Sequence, residues 1–198
     1  MTQQRWRPTS AQLEAARGHP VPDVIGPRLR VLFCGINPSL YSAAVGHHFA
    51  RPGNRFWPTL HGAGFTDRLL SPFEDALLLA AGLGCTNIVD RATARADELE
   101  TPELRAGAAQ LADRVRRHRP AWLAVLGVGA YRAAFDRPSA VLGPQPERLG
   151  ETAVWVLPNP SGLNAHYQLP ALVERFGELR TAATGAESGV PAVEKPTS

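Results

Sequence analysis

Residues 29–36 read Leu-Arg-Val-Leu-Phe-Cys-Gly-Ile. Apart from Arg30 the run is apolar and rich in β-formers, and Pro27 and Asn37-Pro38 bound it, so it predicts a strand buried on both faces. Similar short runs follow at Cys85 to Val89, Ala121 to Val128 (AWLAVLGV) and Ala153 to Leu157 (AVWVL). Helical patterns separate them. Asn54 to Gly64 places Phe56, Trp57, Leu60 and Ala63 at helical spacing, and Ser71-Pro72-Phe73-Glu74 is a capping-box start leading into DALLLAAGLG. Thr101-Pro102-Glu103 opens an amphipathic helix through Leu104, Ala108, Leu111 and Val115, which ends in the basic turn before Pro120. Strands alternating with helices predict right-handed βαβ units. The fold class is therefore α/β, a three-layer α/β/α sandwich with a mainly parallel central sheet.

The chain's 198 residues suit one such domain. Residues 1–27 are polar and punctuated by Pro8, Pro20, Pro22 and Pro27, with only Ser10 to Arg17 helical in pattern, and are expected to form an N-terminal extension. Residues 28–184 form the domain. Residues 185–198 hold few large apolar groups to offset the entropy of ordering them and are expected to be a mobile tail. No apolar run approaches the roughly 20 residues of a membrane-spanning helix, and the N-terminus lacks the apolar core of a signal peptide. A cytoplasmic, monomeric protein with no membrane association is the expectation. Trp57, Trp122 and Trp155 read as core residues.

Several chemistries are excluded by what is missing. There is no Walker phosphate loop, no dinucleotide fingerprint after the first strand and no G-x-S-x-G nucleophile elbow. Cys34 and Cys85 are the only cysteines, too few for a disulfide framework, a structural zinc or a four-thiolate cluster. His47 and His48 are adjacent rather than one helical turn apart, and no second cluster completes a ligand set. Neither metal nor cofactor is expected. Lys195 is the only lysine, so 20 of the 21 basic residues are arginine, a side chain that forks onto phosphate oxygens and also marks GC-rich coding.

Sites in open α/β sheets lie beyond the carboxyl ends of strands. Two unusual segments fall there: Gly35-Ile36-Asn37-Pro38-Ser39, and Pro158-Asn159-Pro160-Ser161-Gly162-Leu163-Asn164. Asn-Pro is an ordinary turn signal, and it can also hold a carboxamide in one orientation, where it positions a water.

The chain resembles the mismatch-specific uracil-DNA and thymine-DNA glycosylases of the uracil-DNA glycosylase superfamily. The likeness runs from about Arg28 to Thr184. It rests on GINP at 35–38, PGNRFW at 52–57, TNIVDR at 86–91 and NPSGL at 159–163, in the family's order and spacing. The resemblance implies a protein whose partner is double-stranded DNA containing a mismatched or damaged pyrimidine. Such a protein flips uracil, and related bases such as ethenocytosine, out from opposite guanine and hydrolyses the N-glycosidic bond. By resemblance, Asn37 positions the water, with Asp90 the reserve candidate for assisting it. Ile36, Ser42, His48, Phe49 and Asn87 hold the base, Phe49 by stacking. Ser161, Gly162, Leu163 and Asn164 form the DNA wedge and phosphate contacts. With no lysine in the core, no Schiff-base lyase step is expected. The other reading is a noncatalytic module that binds mismatched or abasic DNA.

Two departures stand out. Ser39 occupies a position usually glycine, where its hydroxyl is expected to crowd or bond the pocket water, and Ala165 stands where arginine is frequent. Arg51, Arg55, Arg91 and Arg95 cluster around the motifs and are expected to meet phosphates, or, for Arg55 and Arg91, to pair with Asp90 or Glu74.

Overall fold

The computed structural model describes residues 7–185. Its sheet contains β1 (Val31–Gly35), β2 (Leu83–Asn87), β3 (Trp122–Leu126), β4 (Gly143–Leu149) and β5 (Thr152–Leu157), in the order β2-β1-β3-β5-β4. All neighbours are parallel except β4, which pairs antiparallel with β5 at one edge. The chain adds β2 on one side of β1 and then β3 on the other, so the direction in which the sheet grows reverses between β1 and β3. That is the switch point at which α/β sheets open a crevice.

Alternation along the strands builds the layers. Val31, Phe33, Leu83, Cys85, Ala124, Leu126, Trp155 and Leu157 face α3 (Phe56–Gly62) and α6 (Leu169–Gly185), in a core with Phe56, Trp57, Leu60, Phe176 and Leu179. The intervening Leu32, Cys34, Leu123, Val125, Val154 and Val156 face α4 (Thr101–His118) and α5 (Val128–Ala134), in a core with Leu104, Leu111, Val115 and Tyr131. β1, β3 and β5 are covered on both faces, which is why their sequences read as nearly unbroken apolar runs. Trp57 and Trp155 are buried and Trp122 is half-buried against Trp155.

Three local features depart from the sequence expectation. Residues 72–81 form a 3₁₀ helix instead of an α-helix. Its capping box is present, but from Asp75 on the buried residues recur every third position, at Asp75 and Leu78, the period of a three-residue turn. The short helix α2 (Leu40–Val45) follows directly on the first motif, capped by Ser39. Residues 7–27, expected to form an extension, run against the sheet. After α1 (Ser10–Ala15), Val24 exchanges two backbone hydrogen bonds with Cys85, at 2.9 and 2.8 Å, and Val21 is buried. Residues 186–198, expected as the tail, lie outside the described residues.

One close approach fixes how α4 seats against the segment following β2. A methyl group on Gly107 would stand 2.3 Å from the Ile88 carbonyl oxygen, whereas one on Gly177 of α6 would meet nothing within 4 Å. The same substitution should therefore have opposite signs. Urea denaturation is expected to show Gly107→Ala destabilised by about 2 kcal/mol or more. Gly177→Ala should be stabilised by about 0.5 to 1 kcal/mol.

Candidate active site

β1 and β2 remain paired past their ends. Ile88 N–H donates to the Gly35 carbonyl and Val89 N–H to the Ile36 carbonyl, so the two following loops travel together until Thr93 bridges Ser39. Between these loops, the 46–54 loop and the 158–164 loop lies a cleft of about 380 Å3. Of the residues expected to form a site, Ile36, Asn37, Ser42, His48, Phe49, Asn87, Ser161, Leu163 and Asn164 line it. Gly162 does not line it but lets the loop close. A methyl group there would lie 2.5 Å from the Gly53 carbonyl oxygen. Asp90 is elsewhere, half-exposed and 3.4 Å from the Arg114 guanidinium.

The Asn37 carboxamide is fixed in polarity. Its Nδ2 donates to the Arg91 carbonyl at 2.9 Å and to Thr93 Oγ1 at 2.7 Å. A carbonyl can only accept, and the Thr93 hydroxyl already donates its proton to the Arg95 carbonyl at 2.7 Å. Both amide hydrogens are thereby committed. Oδ1 is left as the acceptor, with no partner among the described residues.

The 46–54 loop is held from three sides. Asp75, buried on the inner row of the 3₁₀ helix, accepts the His48 N–H at 3.3 Å and lies 3.1 Å from His47 Nδ1. The Pro22 carbonyl lies 3.0 Å from His48 Nε2, so that nitrogen carries the proton. Ser42 Oγ accepts the Ala50 N–H and the Ser39 hydroxyl, each at 3.1 Å. Ser39 Oγ in turn accepts the Ser42 N–H, so the hydroxyl expected to crowd the pocket is engaged in capping α2. Held this way, Phe49 adopts φ 54°, a conformation that costs a non-glycine residue about 1 kcal/mol or more. Its ring stacks on Phe56 at 4.0 Å and 25°, and the residue lines the cleft. Gly35 makes room for it: a methyl there would lie 2.6 Å from Asn87 Oδ1 and 3.2 Å from the Phe49 ring. Asn87 is buried, and its side-chain amide has no partner among the described residues.

The arginines are used differently from the sequence expectation. Arg55 pairs with neither Asp90 nor Glu74. It donates to the carbonyls of Ser161, Tyr167 and Asn164, the last at 2.8 Å, and so braces the 158–167 loop. Arg91 grips Glu103 of α4 through two bonds of 2.7 and 2.8 Å. Arg95 is paired with Asp97, the one carboxylate among the lining residues, at the cleft. The Arg51 side chain has no partner among the described residues. Asn164 Nδ2 donates to the Asn159 carbonyl and its Oδ1 accepts the His166 N–H, while Leu163 stands 68% exposed beside the opening. Sequence reasoning missed Thr93, Val21 and the Pro22 carbonyl. Thr93 was within the TNIVDRAT stretch, but a backbone acceptor leaves no mark in residue identity.

Fold and cleft define an α/β/α protein whose polar site, built of amides and hydroxyls, opens at the carboxyl edge of a mostly parallel sheet. Residues 22–180 match the sequence profile of the uracil DNA glycosylase superfamily, and the chain belongs to that superfamily. Membership gives the class of reaction, hydrolysis of a base–sugar bond in DNA. The fold is shared with the solution NMR structure of a candidate uracil DNA glycosylase from Methanosarcina acetivorans. The two are 19% identical and superpose with a TM-score of 0.54 over 83% of this chain and 98% of that one.

Burial holds the His48 pKa below its ordinary value of about 6.5. Below that value the unfolded chain binds a proton at this site that the folded chain does not, so the stability present above it is lost as pH falls. His48→Gln keeps a donor for Pro22 and removes the titration. Denaturant midpoints compared at about pH 7.5 and about pH 5.5 should fall less in the variant than in the wild type. An equal fall in both would place the titration on another group.

Proposed function

We propose that this protein excises uracil, and related damaged pyrimidines such as ethenocytosine, mispaired with guanine in double-stranded DNA, leaving an abasic site. The observation that carries the reading is the Asn37 amide, locked so that only Oδ1 is offered to the cleft. An acceptor held there orients a water toward C1′ of the flipped nucleotide. An amide cannot take the proton as a carboxylate base would, and the one lining carboxylate is tied to Arg95. Catalysis then rests on departure of the base as an anion from an oxocarbenium-like sugar, unlike glycosidases that flank the bond with two carboxylates. Backbone N–H groups of Ile36 and Phe49 stabilise the charge that develops on the base carbonyls. The proton of the attacking water passes to solvent after attack.

The base stacks on the Phe49 face opposite Phe56. Asn87, with both an acceptor and a donor unsatisfied, hydrogen-bonds its edge. His48, neutral and with Nε2–H committed to Pro22, keeps Nδ1 as an acceptor. Leu163 enters the stack where the base has left, offsetting part of the unstacking cost. Asn164 shapes that loop, since its side chain is engaged within it, and Ser161 meets a phosphate.

Single-turnover assays on duplexes with uracil opposite guanine or adenine, and ethenocytosine or thymine opposite guanine, test the reading. Wild-type protein is expected to release uracil from the guanine mismatch. Asn37→Ala should be slower by roughly 10²-fold or more, and Thr93→Val, which frees one amide hydrogen, by about tenfold. Tight binding of abasic or mismatched DNA with no release by the wild type would leave the noncatalytic module as the function.

Leu163→Ala separates flipping from chemistry. Excision from the duplex should fall at least about tenfold while excision from single-stranded DNA stays near wild type, because no stack needs filling there. Equal losses on both substrates would place Leu163 in the pocket chemistry instead.

A further inference from the structure

Val21 stands one residue before the segment that matches the superfamily profile, and it nevertheless lines the cleft. Two anchors hold it there. On one side the Gly18 N–H donates to the Ala92 carbonyl at 2.9 Å and Arg17 pairs with Glu98 at 2.8 Å, which ties the chain to the loop that carries Thr93. On the other side Val24 exchanges its two backbone bonds with Cys85, and Asp23 accepts the Thr86 hydroxyl at 2.7 Å. Residues 18–24 are strung between these points with Val21 midway, and the neighbouring Pro22 carbonyl meets His48 Nε2. A β-branched side chain on a segment held this way has little freedom to retreat.

The anchors also fix which part of the cleft Val21 closes. With Val24 paired antiparallel to Cys85 and Asp23 beside Thr86, the segment follows the edge of β2, so Pro22 and Val21 continue toward Asn87. Val21, Ser42, His48 and Asn87 all line the cleft while being at most 5% exposed, and so form its inner end. Three of the four are polar. Val21 alone among them offers an aliphatic surface.

The shape of a pyrimidine decides what that surface meets. N1 is bonded to the sugar, and the edge from the C2 carbonyl through N3 to the C4 group is the one that can hydrogen-bond Asn87. C5 is the next position round the ring from C4, it carries no polar group in uracil, and a substituent on it projects beside the bonded edge. We propose that Val21 is a specificity-determining residue, whose isopropyl group closes the inner end of the cleft against C5 of the base and sets how large a C5 substituent is admitted. The proposal rests on the cleft being a base pocket, as read above, and adds to it a gauge of size supplied by the amino-terminal segment.

Single-turnover excision of uracil, 5-fluorouracil and 5-bromouracil opposite guanine, by wild type, Val21→Ala and Val21→Leu, tests it. The halogens change the quality of the leaving group, but by the same factor in all three proteins. Each rate is therefore divided by that for uracil in the same protein, and the ratios are compared between proteins. Bromine is close to a methyl group in size and fluorine is scarcely larger than hydrogen. Relative to wild type, the bromouracil ratio should rise at least about tenfold in Val21→Ala and fall at least about tenfold in Val21→Leu, while the fluorouracil ratio stays within about twofold in both. A purely structural Val21 would lower all three rates by a common factor. Bromouracil ratios equal to wild type in both variants, or shifted in the same direction in both, overturn the proposal. If one variant fails to fold, the direction of the shift in the other decides. Wild-type protein that releases no base from any of these duplexes overturns the base-pocket reading and the proposal with it, whereas excision with unchanged ratios overturns the proposal alone.

Discussion

Asn37 has two amide hydrogens, and both meet groups that can only accept them. The Arg91 carbonyl has no proton to give, and Thr93 has already given its own to Arg95. This small asymmetry fixes which end of the carboxamide meets the cleft, a choice that would otherwise be open because the two ends of an amide are nearly the same shape. Much of the surrounding structure serves the constraint. The backbone ladder that continues beyond β1 and β2 brings residues 91–95 alongside Asn37, and the Arg91–Glu103 pair anchors that segment to the first turn of α4.

The opposite wall of the cleft is held in a conformation it would not choose alone. Phe49 sits at positive φ, and what keeps it there comes from distant parts of the chain: Pro22 and Asp75 on His48, Ser42 on Ala50, and Phe56 under the ring. The amino-terminal segment is thus part of the pocket wall. Its Asp23 also joins Arg114 at 3.0 Å and Thr86 at 2.7 Å, directly before the buried Asn87. A rigid wall of this kind suits recognition of a flat ring, since little entropy remains to be lost on binding.

The parts of the fold that were legible in sequence are those whose burial is symmetrical. β1, β3 and β5 are covered on both faces and read as apolar runs, whereas β2 (LGCTN) begins two residues before the expected Cys85 to Val89 because its buried Thr86 and Asn87 break the apolar signal; α4 shows its apolar stripe and basic end. β4 was not legible, because an edge strand reading GPQPERL carries two prolines and a half-exposed alternation. In α6, Leu172, Phe176, Leu179 and Ala183 keep helical spacing, but Pro170 and Gly177 interrupt the signal. At residues 72–81 the cap was readable and the helix type was not, since a 3₁₀ and an α-helix can begin with the same box. The site followed the same logic. Side chains within motifs, such as Asn37, Phe49 and Leu163, were found at the cleft. Asp90, placed by proximity in sequence alone, turns outward to the partly buried Arg114 guanidinium, which also reaches Asp23 and Thr86.

The arginine content invited a reading in terms of phosphate, and the structure places much of it inside the scaffold. Arg55 braces three carbonyls of the 158–167 loop at once, Arg91 forms a two-pronged bond to Glu103, and Arg114 joins Asp23, Thr86 and the Asn87 carbonyl. Each task needs several donors in a fixed plane, which a guanidinium has and an ammonium lacks. Loops that carry a site but no regular hydrogen-bond ladder leave carbonyls unsatisfied, and a forked donor is an economical way to gather them. Among the residues that line the cleft, the positive charge that remains available is then concentrated in Arg51, since Arg95 is paired with Asp97. Electrostatic attraction to a polyanion comes from few groups, and orientation at the cleft depends on the shape of loops that internal arginines have already set.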